Sequence, residues 1–175
     1  EERVDISTVS SSSKGDKDAV LFQAQYWILD QPRSRGLGDE YKRQGSRSGK
    51  TECGAVETLW LARGIHPYRR NRKDTFGWVV SLSQQVQRDV AQSKILYYLP
   101  KGWISDIVML SGRKDSPASG VIDQIKIKNV FGGISTIGFK SCDQGREKFQ
   151  GTSLDYVWFD EEPPRDVYEE CRMRV

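Results

Sequence analysis

Short apolar runs along the chain predict its strands. Phe76–Leu82 and Tyr156–Phe159 are largely apolar runs bounded by polar residues, a pattern typical of parallel strands that are buried on both faces. Val121–Asn129 and Gly133–Ser141 mix isoleucine with polar residues on either side of a Phe-Gly-Gly turn, and so predict a β-hairpin. Glu40–Gln44 is expected to be one more strand, although it is unusually polar for that role.

Helical spacing predicts the elements between these strands. Residues 51–63 carry apolar side chains at helical intervals, and Gly64 is suited to end that helix. Gln84–Leu99 has the pattern of an amphipathic helix, and Ala19–Leu29 is interpreted as helical too. Since strands and helices alternate, the sequence predicts an α/β fold: a three-layer αβα sandwich with a mostly parallel central sheet and a β-hairpin insertion.

Length and composition indicate one domain with a real core. The chain has 175 residues, of which 37% are hydrophobic, and five tryptophans. Residues 1–18 are rich in serine, lysine and aspartate and are interpreted as a flexible tail, which leaves 19–175 as the folded domain. Four of the tryptophans are interpreted as core residues rather than ligand-stacking groups: Trp60, Trp78, Trp103 and Trp158. The net charge of +3 is too mild to demand a nucleic-acid partner.

Several classes of protein are disfavoured by what the sequence lacks. The three cysteines, Cys53, Cys142 and Cys171, are widely spaced and odd in number, so they fit neither a disulfide framework nor a C-x-x-C zinc site and favour a reducing compartment. His66 is the single histidine, which leaves no histidine-based metal cluster or catalytic triad. No apolar run approaches the ~20 residues of a membrane span, and no signal peptide is visible.

A glycine-rich segment, Gly45–Thr51 (GSRSGKT), predicts a phosphate-binding loop. Backbone N–H groups of such a loop close on a phosphate, and the following helix directs its positive end at the same anion. Lys50 would reach the β- and γ-phosphates of ATP, and the Thr51 hydroxyl would ligate Mg²⁺. The general pattern G-x-x-x-x-G-K-[ST] has glycine where this chain has Gln44. The alternative is a polar turn before a helix. The residues expected to cradle the nucleotide are Gly45, Ser46, Arg47, Ser48, Gly49, Lys50 and Thr51.

A second motif follows more than a hundred residues later. The apolar run Tyr156–Phe159 ends in Asp160 and Glu161, at the carboxyl end of a strand, where doubly wound sheets place their chemistry. Asp160 is expected to hold Mg²⁺, through water, and Glu161 to polarise the attacking water. The alternative is an ordinary strand followed by an acidic turn. Together the two motifs predict an ATP hydrolase.

With both motifs placed, the sequence resembles the large terminase subunit of tailed bacteriophages. QGSRSGKTECGAVE is similar to that family's phosphate loop and helix, and FKSCDQGREKFQGTSLDYVWFDEEPP is similar to the segment leading into its Walker B strand. GIHPYRR, residues 64–70, also resembles the family. The individual motifs occur throughout P-loop ATPases, and their combination points to terminases.

The resemblance implies a motor that hydrolyses ATP, with Mg²⁺, to push double-stranded DNA into a procapsid. Its implied partners are DNA, a portal protein, a small terminase subunit and further copies in a ring. Its implied location is the host cytoplasm, transiently docked on the procapsid. The family also carries a C-terminal nuclease domain, which nothing here matches, and a coupling motif that would lie past Val175. The ATPase domain is therefore expected to be truncated at its C-terminal end.

The resemblance also suggests roles for isolated polar residues. Arg47 would sense or stabilise the γ-phosphate, with an exposed surface arginine as the alternative. Many terminases carry arginine where this chain has Gln150, and Arg146 could serve in its place as a catalytic group. Gln23 and Gln25 precede the loop at about the distance of an adenine-reading glutamine, but a half-exposed helix residue is an equal alternative.

The segment from His66 to Asp74 is strongly basic. Its cations lie beside a tyrosine and suit contact with a DNA backbone without sequence reading; they are Arg69, Arg70, Arg72 and Lys73. A solvated loop and a contact with a neighbouring subunit are the alternatives. For the chain as a whole, the alternatives to a packaging motor are a helicase-like P-loop DNA motor and a nucleotide-binding module that does not hydrolyse ATP.

Overall fold

The protein is an α/β domain built on a six-stranded sheet, seen in a computed structural model that describes residues 49–110, 120–175 and the backbone of a strand at 20–23. The strands are β1 (Val20–Gln23), β2 (Phe76–Ser81), β3 (Ile104–Met109), β4 (Ile122–Lys128), β5 (Ile134–Ser141) and β6 (Tyr156–Phe159). The helices are α1 (Lys50–Arg63), α2 (Gln84–Val86), α3 (Ser93–Tyr98) and α4 (Arg165–Arg172). A π-helical segment, Gln87–Gln92, joins α2 to α3, and short 3₁₀ turns lie at Lys101–Trp103, Cys142–Gln144 and Arg146–Phe149.

The sheet is mixed rather than mostly parallel. Its strand order is β1-β6-β2-β5-β4-β3, in which β1, β6, β2 and β5 run parallel while β4 and β3 are antiparallel to their neighbours. The predicted hairpin is present as β4 and β5, joined by a tight turn that only antiparallel strands allow. Because β3 then pairs with β4, the antiparallel part is larger than an inserted hairpin alone.

Two of the predicted helices are present with nearly the predicted bounds. Gly64 ends α1 in the left-handed conformation at φ 77°, which a glycine adopts without strain. The second predicted helix spans α2, the π-helical segment and α3, and the Ser83 hydroxyl accepts a hydrogen bond from the Val86 N–H at its start. The buried Gln92 amide within it donates to the Gly120 carbonyl at 2.8 Å and accepts from the Ile122 N–H at 3.0 Å, so it fixes the start of β4.

The core lies on both faces of the sheet. One face packs against α1 and the 84–98 helical run, and its largest buried side chain is Trp158. The other face packs against α4 and the turn at Arg146–Phe149, through Trp78, Phe159 and Phe149. Trp78 and Trp158 are therefore core residues as predicted, whereas Trp60 and Trp103 are only partly buried.

Some predicted elements differ from the structure. The helix predicted over Ala19–Leu29 is wrong at Val20–Gln23, which form β1 and pair in parallel with β6. Val20, Leu21 and Phe22 suit a strand, and pairing with a buried strand outweighs the weak helical pattern. Strand β3 and helix α4 were not predicted. The remainder of that segment and the strand predicted at Glu40–Gln44 lie outside the described residues.

The cysteines and the described helices relate to two kinds of protein that the sequence disfavours, those with a disulfide framework and those with a membrane span. Cys53, Cys142 and Cys171 are all free thiols, and burial raises the pKa of Cys142 to about 11. Among the described residues, no helix combines the length and the apolar character that crossing a membrane requires.

Candidate nucleotide-binding site

The two sequence motifs meet at one edge of the sheet. The Thr51 hydroxyl, in the first turn of α1, donates a hydrogen bond of 2.9 Å to Oδ1 of Asp160, although the two residues are 109 positions apart in the sequence. Asp160 follows the last residue of β6, and its backbone N–H donates to the Val80 carbonyl near the end of β2 at 3.0 Å. This contact joins the helix that follows the glycine-rich segment to the carboxyl ends of two parallel strands.

The start of α1 has the backbone geometry that an anion site requires. Gly49 precedes the helix in the left-handed conformation at φ 74°, and no atom of the described residues beyond its chain neighbours lies within 4 Å of the position a Cβ would take. The Gly49 carbonyl accepts from the Cys53 N–H at 2.9 Å, so the helix forms hydrogen bonds from its first turn. The unbonded N–H groups of that turn point out of the helix end, where they favour an anion. Lys50 lies at this end and is half-buried.

Asp160 is a buried carboxylate, with 8% of its surface exposed. Burial raises its pKa above the ordinary range, the hydrogen bond from Thr51 opposes that shift, and the nearby carboxylates Glu161 and Glu52 add to it. None of the ion pairs among the described residues includes Asp160, and a buried carboxylate is stabilised in its charged form by a nearby cation. The site therefore favours a positively charged ligand beside Asp160.

Other acidic side chains surround this pair. Glu161 and Glu162 are both exposed where β6 leads into α4. Glu52, next to Thr51, pairs with Lys94 of α3 at 2.6 Å, and that ion pair lowers the pKa of Glu52. Lys94 therefore ties the 84–98 helical run to the first turn of α1.

The residues present fit a magnesium ion. The Thr51 hydroxyl and the Asp160 carboxylate supply the hard oxygen atoms that Mg²⁺ prefers. Within the described parts of the chain, no group of three His, Cys, Asp or Glu side chains could hold a metal ion. In phosphoryl-transfer sites Mg²⁺ is bound by one or two carboxylates and takes further ligands from substrate phosphates and water, and the Thr51–Asp160 pair is compatible with that arrangement.

Comparison with known proteins decides the family. Residues 43–174 match the family model described as terminase large subunit, T4likevirus-type, N-terminal. The chain belongs to this terminase family. Over 72 residues it is also 37% identical to the terminase large subunit of Salmonella phage P22, an alignment that covers 38% of this chain and 14% of that relative. No solved structure matches the chain.

Arg146 of this terminase chain lies in an ion-pair cluster. Its Nε and one terminal nitrogen donate to Oε2 of Glu170 at 3.0 and 2.9 Å, while Arg174 donates to Oε1 of the same carboxylate at 2.5 Å. These two arginines lower the pKa of Glu170, Arg174 more than Arg146. Arg146 therefore anchors the turn at Arg146–Phe149 to α4 in this structure, and its catalytic role stays a prediction.

The basic loop, residues 66–74, lies at the opposite edge of the sheet. It connects the end of α1 to the start of β2. Because α1 has 14 residues and is therefore about 21 Å long, its whole length separates this loop from the start of the helix. Arg69 pairs with the buried carboxylate of Glu57 at 3.3 Å, and Arg72 pairs with Asp155 at 3.3 Å. These two arginines are thus engaged within the fold. The side chains of Arg70 and Lys73 in the same loop are exposed to solvent. Contact of the loop with DNA stays a prediction.

His66 organises this loop. Its Nδ1 accepts hydrogen bonds from the backbone N–H groups of Tyr68 at 3.1 Å and Arg69 at 3.0 Å. Since Nδ1 is an acceptor, the ring proton lies on Nε2, which donates to Oε1 of Glu57 at 2.6 Å. The side chain of Asn71 adds two bonds to the His66 backbone. The single histidine is therefore buried and structural.

Some site residues fall outside the described part of the chain: Gly45, Ser46, Arg47, Ser48 and Gln25. The backbone of Gln23 lies opposite Phe159 in the pairing of β1 with β6, one residue before Asp160. Its adenine-reading role stays a prediction. The sequence did not single out Glu52, Asp155 and Glu170. Each forms an ion pair with a cation that no local sequence pattern identifies as its partner.

Proposed function

We propose that this chain is the ATP-hydrolysing motor domain of a phage terminase large subunit, which drives double-stranded DNA into a procapsid. The observation that carries the proposal is the Thr51–Asp160 hydrogen bond. It brings a threonine that follows Gly-Lys at a helix start within reach of a buried aspartate at a strand end. Phosphoryl-transfer sites of P-loop NTPases need this pair for Mg²⁺. Family membership supports the same function.

The residues of the site have separate roles in the proposed hydrolysis. The N–H groups at the start of α1 and the Lys50 ammonium bind the phosphates of ATP. Thr51 and Asp160 would hold Mg²⁺, which neutralises charge on the β- and γ-phosphates when it is bound. Glu161, exposed at the end of β6, orients the attacking water and accepts its proton. Arg47 is proposed to stabilise charge on the transferring phosphoryl group.

The proposal also covers the partners and the location of the whole terminase. DNA, a portal protein, a small terminase subunit and other copies in a ring are proposed as partners, and the host cytoplasm as the location. These rest on the family alone. A helicase-like DNA motor is the second candidate, but the family match favours packaging.

The test is ATP binding and hydrolysis in the full chain. Lys50→Ala should weaken ATP binding in calorimetry with Mg²⁺, because a charge-assisted bond of about 1.5–3 kcal/mol is lost. Glu161→Gln should leave binding intact and abolish phosphate release, because an amide cannot accept the proton. Glu162→Gln is the matched control, since it changes the neighbouring exposed carboxylate. Unchanged affinity in Lys50→Ala would reject the phosphate site, and loss of hydrolysis in the control alone would move the catalytic role to Glu162.

A further inference from the structure

Two serine hydroxyls at the carboxyl ends of β2 and β5 are buried without a hydrogen-bond partner. Ser81 is 2% exposed and Ser141 is fully buried, and within the described ranges neither Oγ atom has a partner. A buried hydroxyl that makes no hydrogen bond destabilises a fold, so such groups are rare and need a specific explanation. The position of these two serines in the sheet provides one.

Ser81 and Ser141 lie in one row with Asp160. Ser81 pairs with Ser141 in the register of β2 with β5. In the register of β2 with β6, Val80 pairs with Phe159, and the Asp160 N–H extends that ladder by donating to the Val80 carbonyl. Ser81 is therefore the neighbour of Asp160 as well. Because adjacent strands are about 4.8 Å apart, single water molecules could bridge the three side chains.

The three side chains of this row point to the face of the sheet that packs against α1. Side chains alternate between the two faces along a strand. The residue two positions before each member of the row belongs to the core on the α1 side; these residues are Val79, Phe139 and Trp158. The hydrogen bond from Thr51 of α1 to Asp160 shows the same direction at one end of the row. The serine hydroxyls thus lie on the side where α1 begins.

The backbone just beyond the two serines is held in place. The Asp143 N–H donates to the Leu82 carbonyl at 3.2 Å, and the Asp143 carboxylate accepts from the Gln84 N–H at 3.1 Å. These bonds tie the chain that leaves β2 to the chain that leaves β5. The row is therefore built on fixed strand ends, which is what the orientation of metal ligands requires.

We infer that Ser81 and Ser141 bind the water shell of the magnesium ion that Thr51 and Asp160 would hold, an inference that rests on the function proposed above. Mg²⁺ keeps several water ligands in phosphoryl-transfer sites, and a serine hydroxyl can both accept from such a water and donate to the next group. Ser81 lies beside Asp160 and acts on the nearer water, and Ser141 extends the same network by one strand. Both are positioning residues, because they act through water rather than on ATP.

Stability without nucleotide is the first measurement, made by urea denaturation of the full chain. Ser81→Ala and Ser141→Ala should be at least as stable as wild type, because neither substitution removes a hydrogen bond. Ser135→Ala is the matched control. Ser135 is a fully buried serine on the same face of β5, and its hydroxyl accepts from the Thr75 N–H and the Asn129 side-chain amide, both at 3.1 Å. This control variant should be less stable than wild type.

Magnesium affinity is the second measurement, made by calorimetry on the full chain saturated with a non-hydrolysable ATP analogue. Ser81→Ala should bind Mg²⁺ about tenfold more weakly than wild type, the order of loss seen when a group that orients metal ligands is removed. Ser141→Ala should lose less, since it is one strand further from Asp160, and Ser135→Ala should match wild type. Affinity for the analogue in EDTA should be the same in wild type and all three variants.

Two results would overturn the inference alone. Mg²⁺ affinity of Ser81→Ala equal to that of wild type would show that its hydroxyl does not bind the water shell. Destabilisation of the nucleotide-free Ser81→Ala chain as large as that of Ser135→Ala would show that the hydroxyl is a structural hydrogen-bonding group. A wild-type chain that binds neither the analogue nor Mg²⁺ would instead refute the proposed function, and this inference with it.

Discussion

Trp158 lies directly under Gly54 in the middle of α1. A Cβ built on Gly54 would lie 2.2 Å from Cε2 of the Trp158 indole, a separation at which one of the two must move. Glycine weakens a helix interior by about 1 kcal/mol relative to alanine, so its presence here reflects packing. The close approach seats α1 on β6, the strand that carries Asp160.

Gly54→Ala should therefore destabilise the protein. Overpacking against a fully buried ring costs about 3 kcal/mol at the upper end of the usual range, and the gain in helix propensity offsets about 1 kcal/mol of it. We expect a net loss of about 2 kcal/mol in the free energy of unfolding, measured by urea denaturation. Gly102→Ala is the control, because nothing lies within 4 Å of its Cβ position.

In a Trp158→Leu background, Gly54→Ala should cost less stability than in wild type, because the smaller side chain leaves room for the methyl group. A double-mutant cycle with no coupling between the two positions would contradict the packing argument.

The sequence predicted the parts of the fold that depend on local patterns. The run Tyr156–Phe159 predicts a buried strand because each of its residues is large and apolar. Gly64 predicts a helix end because the left-handed backbone conformation there favours glycine. Thr51 and Asp160 were each predicted to ligate Mg²⁺, which requires that they lie close together, and the hydrogen bond between them is consistent with that prediction.

Contacts between distant residues were not predictable in the same way. Asp155 accepts from the Phe76 N–H at 2.8 Å and pairs with Arg72, and nothing near any of the three signals those partners. The pairing of Arg146 with Glu170 is equally nonlocal. β1 was mistaken for a helix because four residues of strand depend on β6 for their pairing rather than on their own periodicity.

The hydroxyl oxygen of Thr51 should be required for normal Mg²⁺-dependent ATP hydrolysis. Thr51→Ser keeps the hydroxyl and should retain Mg²⁺-dependent ATP hydrolysis, whereas Thr51→Val keeps the shape and removes the donor to Asp160. We expect Thr51→Val to require a higher Mg²⁺ concentration for half-maximal phosphate release and to lower the maximal rate, because both the ligand and the bond to Asp160 are lost. Equal Mg²⁺ dependence of the serine and valine variants would show that this hydroxyl is no metal ligand.

Two different substitutions should distinguish the roles of the two ring nitrogens of His66. Asparagine can place an oxygen near Nδ1 and keep the bonds from Tyr68 and Arg69, whereas glutamine can place a donor near Nε2 and keep the bond to Glu57. Hydrogen exchange at the Tyr68 and Arg69 amides should therefore stay slow in His66→Asn and become fast in His66→Gln. His66→Ala should lose about 1–3 kcal/mol of stability for each buried group left unpaired. Equally fast exchange in the asparagine and glutamine variants would contradict the acceptor role of Nδ1.

Acid should destabilise the protein through Glu170. Its pKa in the folded state lies below the ordinary 4.5, mainly because Arg174 and then Arg146 bind its charged form. A carboxylate with a lowered folded-state pKa stabilises the fold above its unfolded pKa, and that contribution disappears as the pH falls through the folded value. The urea midpoint of wild type should therefore drop as the pH is lowered from neutrality to below 4.5. In Glu170→Gln the drop should be smaller, because no charge remains to be neutralised.

Glu169→Gln is the control on the same helix: its partner Arg165 is 91% exposed, so solvent screens the pair and the acid dependence should match wild type. A Glu170→Gln protein as acid-sensitive as wild type would show that this cluster does not couple α4 to the turn at Arg146–Phe149 through charge.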